Sequence, residues 1–213
     1  METLKTNLVS LVSTVNRNRL FGRGAGLMRA AWRCSLAALA LALAAAPAAR
    51  AGFENENLLV ALPPGYKVDF QQKNDKMMIS EMVPAAENVN AWTEMVTVQV
   101  FFGLKVAPEQ FRARMEKAWG DSCPDSQFNT VHKGVENGYA TLVWIQTCPL
   151  NKQTGKPEIT WMKAVRGNDS LYLVQKAFKF TPSDEQVTTW TKYLRDIAVC
   201  DTRRRDRACP KTD

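Results

Sequence analysis

The chain has 213 residues, 28 of them basic and 21 acidic, for a formal net charge of +7, and 46% are hydrophobic. The basicity is concentrated at the start: seven Lys and Arg and one acid, Glu2, precede Gly52, and the 162 residues from there on carry 21 basic and 20 acidic groups, a net of +1. A near-neutral body of that size excludes a general electrostatic binder of nucleic acid and is long enough to bury one full core.

The first organised segment is Met28 to Ala51. Arg29 and Arg33 form a positive n-region, Leu36 to Ala46 is an unbroken run of Leu and Ala, and Ala49-Arg50-Ala51 places small residues at the two positions a signal peptidase reads. Residues 28-51 therefore read as a cleavable export signal that leaves Gly52 as the new N-terminus. Residues 1-27 read as an overlong n-region, or as the product of a start misassigned ahead of Met28. The apolar run is eleven residues, against about 20 for a membrane-crossing helix, and Pro47 breaks it at once. Position 52 is not the cysteine that lipidation needs, and Cys34 leaves with the signal. The expected organisation is 1-51 as extension and signal peptide, then 52-213 as a single globular periplasmic or secreted domain.

Leu58 to Leu62 reads as a short strand, Pro63-Pro64-Gly65 as a turn, and Tyr66 to Gln71 and Met77 to Val83 as two more strands. Thr93 to Phe102 has the cleanest period-two pattern, with Val96, Val98, Val100 and Phe102 on one face. Pro108 opens a helix that Gly120 closes, with Phe111, Met115, Ala118 and Trp119 as its buried stripe. Asn137-Gly138 sits between two strand-like runs, Phe128 to Val135 and Tyr139 to Cys148, and predicts a two-residue hairpin. Its register sets Glu136 against Tyr139, Val135 against Ala140, His132 against Val143, Val131 against Trp144, and position 127 against Cys148. Ile159 to Arg166 and Leu171 to Phe180 form a further hairpin. A final helix begins at Thr181 as N-cap with Pro182 at its first position, buries Val187, Trp190, Leu194 and Ile197, and ends near Val199. Four strands, a helix, four strands and a helix make an α+β domain with a mainly antiparallel sheet and two packed helices.

Cys123, Cys148, Cys200 and Cys209 remain after cleavage, an even number in an oxidising compartment. The hairpin register brings Cys123 near Cys148 and leaves Cys200 and Cys209 to close a local C-terminal loop. A zinc site is disfavoured, because the spacings contain no CxxC pair and His132 is the single histidine.

The strand ending in Leu62-Pro63-Pro64-Gly65-Tyr66, followed by a strand series, a helix, two hairpins and a C-terminal helix, resembles the Mog1/PsbP-like α/β/α sandwich domains. As a whole the sequence also resembles uncharacterised exported proteins of alphaproteobacteria. The first resemblance implies action through binding of partner proteins rather than catalysis.

Among possible functional residues, His132 is the natural choice for acid-base work, on a strand face expected to hold Phe128, Thr130, Tyr139 and Ile145. No GxSxG motif or free thiol stands ready to join it, so it reads as a structural or surface histidine. Trp92, after the polar loop from Glu87 to Ala91, could anchor a partner. Trp119, Trp144, Trp161 and Trp190 fall at core positions. Arg203, Arg204, Arg205 and Arg207, inside the expected Cys200 to Cys209 loop, form the one concentrated charge of the mature chain and could contact an anionic surface. No catalytic residue, cofactor or metal site can be nominated. The reading is a non-catalytic periplasmic protein that binds or assembles with another envelope protein. An inhibitor or protective factor directed at an envelope hydrolase is the alternative, and an enzyme without a recognisable motif is a third.

Overall fold

The computed structural model describes residues 54–210, which belong to one compact unit. The extension, the export signal and its cleavage point, and Cys34 lie outside the described residues. No described helix is long and apolar enough to cross a membrane.

Seven strands form one antiparallel sheet: β2 (Tyr66–Lys73), β3 (Met77–Pro84), β4 (Glu94–Phe102), β5 (Gln127–Glu136), β6 (Tyr139–Asn151), β7 (Lys156–Arg166) and β8 (Ser170–Phe178). Their spatial order is β2-β3-β4-β8-β7-β6-β5. Helix α1 (Pro108–Ser122) carries the chain from β4 to the far edge, where β5 begins a meander that returns through β6 and β7 until β8 pairs with β4. This long crossover makes β5 an edge strand.

Alternation along the strands gives the sheet two apolar faces, and each receives a helix. On one face Val96, Val98, Trp161, Val174 and Phe178 pack against Trp190, Leu194 and Ile197, which come from α2 (Asp184–Asp196) and the residue that caps it. On the other, Leu142, Trp144, Met162, Leu171 and Leu173 meet Phe111 of α1. The α+β class expected from the sequence is the observed one.

The helix boundaries differ from expectation for identifiable reasons. Gly120 does not end α1, which runs to Ser122, and Ala118 faces solvent. Helix α2 starts at Ser183 rather than Thr181: its hydroxyl accepts from Gln186 N while the Gln186 side chain accepts from Ser183 N, a reciprocal box that Thr181 would not complete. Past Ile197 the chain does not remain helical. It becomes β9 (Ala198–Asp201), antiparallel to β1 (Glu56–Leu59), a two-stranded ribbon that lies against Val100, Tyr139, Val165 and Tyr172 through Val199. The first strand consequently begins earlier than Leu58. Glu56 fastens the ribbon to the β7–β8 turn, accepting from Asn168 N at 2.6 Å, Asp169 N at 3.0 Å and Tyr172 Oη at 3.0 Å. Gly167 is required there, because a Cβ would collide with the Glu56 carboxylate.

The Asn137-Gly138 turn forms with both residues at positive φ, 45° and 76°, and Glu136 faces Tyr139 as expected. A bulge at Val131 then shifts the ladder by one, so that Thr130 pairs with Trp144 and Gln127 with Thr147. Because side chains alternate, this extra residue also moves Thr130 away from the face of His132. Thr130 Oγ1 accepts from Arg112 of α1, whereas His132 lies on the α2 side. Cys123 bonds Cys148 and Cys200 bonds Cys209, with Cα separations of 5.8 and 4.9 Å.

Candidate functional site

Helix α2 covers the middle of its sheet face and stops short of the β5–β6 hairpin. The gap is a cleft of about 690 Å³, within the size range of ligand sites. Its walls are apolar: Val131, Val135 and Val143 from the hairpin, Trp161 from β7, and Leu194, Ile197 and Ala198 from the end of α2 and the start of β9. Polar groups converge inside it from His132, Glu136, Lys163, Thr191 and Arg195.

Lys163 organises the closed end. It sits among apolar residues of β7 with only 1% of its side chain exposed. Its ammonium donates to Leu194 O at 3.0 Å and Ile197 O at 2.8 Å, carbonyls that the end of α2 leaves without helical partners. The third direction goes to Glu136 Oε2 at 2.6 Å. The other carboxylate oxygen lies 3.5 Å from His132 Nε2. His132 rests close over Gly134, where an added Cβ would come within 3.1 Å of the imidazole. The turn that holds Glu136 is itself fixed, since Asn137 Nδ2 donates to Val199 O at 2.7 Å. Lys163 and Glu136 therefore neutralise each other in a rigid frame. Arg195 is exposed at the rim and makes no ion pair or side-chain hydrogen bond within the described residues.

Of the residues weighed for function in the sequence, the structure brings His132 to this cleft, and Trp161 as part of its apolar wall. Trp92 is half-buried between β3 and β4, with the Lys179 ammonium 3.6 Å from its ring centre. Most of the arginine run is engaged with its own neighbourhood. Arg203 bridges Asp201 and Asp169 at 2.7 Å each, and these contacts hold the Asp201 carboxyl below its ordinary range. Arg204 pairs with Asp206 at 3.1 Å, and Arg207 lies over the Tyr139 ring at 4.6 Å. Arg205 has no carboxylate partner among the described residues.

Glu136, Lys163 and Arg195 escaped the sequence reading. One signal was present: Lys163 interrupts the apolar run from Ile159 to Val165, and a cation there must find buried acceptors.

Lys176 is a second buried cation, enclosed away from the cleft. Its ammonium stands 3.7 Å from the Trp190 ring centre and 4.3 Å from that of Phe178, and donates to Tyr66 Oη and Glu94 Oε2 at 2.7 Å each. Desolvation lowers its pKa from 10.5 to about 8. Among the described residues no group of three or more His, Cys, Asp and Glu is arranged to hold a metal.

No family model and no curated protein matches the chain. Solved structures do. One is the Ran-binding protein Mog1p of Saccharomyces cerevisiae, at 13% identity over 64% of this chain and 78% of that one, with a TM-score of 0.38. Another is the cyanobacterial PsbP of Synechocystis, at 11% identity over 68% and 90%, with a TM-score of 0.40. The chain is similar to both.

Proposed function

We propose that this protein is exported to the periplasm, matures at Gly52, and there binds or assembles with another envelope protein through the cleft beside β5, without catalysing a reaction. The export pattern and the two disulfides support the compartment. One observation carries the binding reading: the polar centre of the cleft is already satisfied internally while its apolar margin is open. Lys163 is shared among two helix carbonyls and Glu136, so it is held as a brace and not as a nucleophile or general acid. All four cysteines of the described domain are bridged. By contrast, Val131 and Val135 on β5 remain 51% and 71% exposed, and exposed apolar surface at the lip of a cleft is a feature of contact sites.

The test is photo-cross-linking in intact cells, with benzoylphenylalanine in place of Val131 and, as a control, in place of the similarly exposed Leu150. The expected result is a discrete adduct from position 131 that is absent from position 150 and lost on adding Val135→Asp. Equal labelling at both positions would overturn the binding face. Mass spectrometry of the periplasmic protein should show Gly52 as its first residue. If the adduct contains a hydrolase whose activity the protein suppresses, the inhibitor reading replaces assembly.

A further inference from the structure

We infer that the occupant of this face is an extended segment of a partner protein that adds as a strand to β5, with aliphatic residues over Val131 and Val135 and an acidic side chain in the cleft facing Arg195. The inference rests on the binding role proposed above and specifies its chemistry.

Three observations lead to it. First, among the described residues β5 ends the sheet, so one side of its backbone has no ladder partner there. In a two-residue hairpin the pair next to the turn, here Glu136 and Tyr139, is hydrogen-bonded, and alternate residues point their N–H and C=O away. Val135 and Lys133 are therefore the residues that offer main-chain groups to an added strand.

Second, the exposed apolar surface lies on both faces of that edge. Lys133 reaches Glu109 of α1 at 2.9 Å, and Val135, two residues on, shares its face. Val131 stands at the cleft on the α2 side. Val135 borders the cleft as well, but its pairing with Ala140 sets its side chain toward the α1 side and it stays 71% exposed, so a ligand held only within the cleft covers little of it. A strand lying along the edge covers both valines, because its own side chains alternate.

Third, the charges favour an acid on the cleft side. Lys163 and Glu136 offset each other, Glu136 also lies 3.5 Å from His132 Nε2, and Arg195 at the rim makes no ion pair among the described residues. An incoming carboxylate finds a guanidinium there, whereas an incoming cation would meet Arg195, and the one carboxylate among the cleft's lining residues, Glu136, is already held by Lys163.

The probe is a blocked heptapeptide, Thr-Val-Val-Glu-Val-Val-Thr, which carries Val on both faces and one central Glu, titrated against the purified protein by fluorescence anisotropy. Two N-methylated versions carry the methyl groups on alternate residues. Only one of them can keep the N–H groups that face β5, so one should bind like the parent and the other should lose at least about tenfold. Binding should also slow hydrogen exchange at the Val135 and Lys133 amides. Arg195→Ser should weaken the Glu peptide by about tenfold and leave the same peptide with Gln unaffected. Val135→Pro removes one outward donor without touching the β5–β6 ladder and should weaken the parent peptide and its permissive N-methylated form alike. Equal affinity of the two N-methylated peptides would overturn strand addition. So would failure of the parent peptide to bind while the Val131 cross-link persists, an outcome that leaves the binding role standing. Self-association abolished by Val135→Pro, with no peptide binding, would replace the partner strand by a second copy of this chain.

Discussion

At the residue scale the molecule keeps two lysines inside its core and treats them differently. Lys163 has oxygen acceptors in every direction, because a helix ends beside it. Removing it strands two helix-terminal carbonyls and the Glu136 carboxylate, so Lys163→Met should cost about 3–5 kcal/mol in urea denaturation. Lys176 is instead surrounded largely by Tyr66, Phe178 and Trp190 rings, which stabilise a cation less well than water does. Its folded pKa of about 8 lies below the ordinary 10.5, so between those values the unfolded chain holds a proton that the folded chain has released. Stability must then rise with pH across that window, by up to about 1.4 kcal/mol per pH unit. Burial raises the Tyr66 and Tyr193 phenols above their ordinary value, which works in the opposite direction once pH passes 10. Unfolding midpoints of the wild type between pH 8 and 9.5 should therefore climb relative to Lys176→Met. Parallel curves would show that Lys176 does not release its proton in this range.

At the element scale, side-chain chemistry at the boundaries decided what periodicity left open. The sequence places the start of α2 at Thr181-Pro182, and the pattern of apolar residues downstream does not test that choice. The choice falls to Ser183 because Gln186 stands three residues beyond it and can return the hydrogen bond. Ser183→Ala should cost about 1 kcal/mol by urea denaturation, and Thr181→Ala much less. The bulge at Val131 is the other local event with consequences. A two-residue turn sets the register from its own end, and a single extra residue five positions away reverses the facing of everything beyond it. Thr130 thus belongs to the α1 side and His132 to the cleft.

At the scale of the whole molecule, the C-terminus closes the structure. β9 follows α2 without a loop, pairs with β1, and carries Cys200 into a bond with Cys209. Converting both cysteines to Ser frees a loop spanning nine residues of separation, and by loop entropy should cost about 2–3 kcal/mol while the seven-stranded sheet survives. Circular dichroism melts should show a lower midpoint with an unchanged far-ultraviolet spectrum. The sequence by itself determined the α+β class, eight of the nine described strands in approximate extent, both described α-helices, the hairpin at Asn137-Gly138 and the cysteine pairing. Each of these rests on neighbours along the chain: alternation, turn residues, or cysteines brought close by one hairpin. Tertiary structure alone decided the β1–β9 ribbon, the exposure of β5 as an edge, and the cleft. Lys163, Glu136 and Arg195 lie on three different elements, and their meeting depends on where α2 happens to end over the sheet. No local pattern encodes that position. The ribbon is hidden for the same reason, since Ala198–Asp201 is too short to signal a strand and acquires its partner from the other end of the domain.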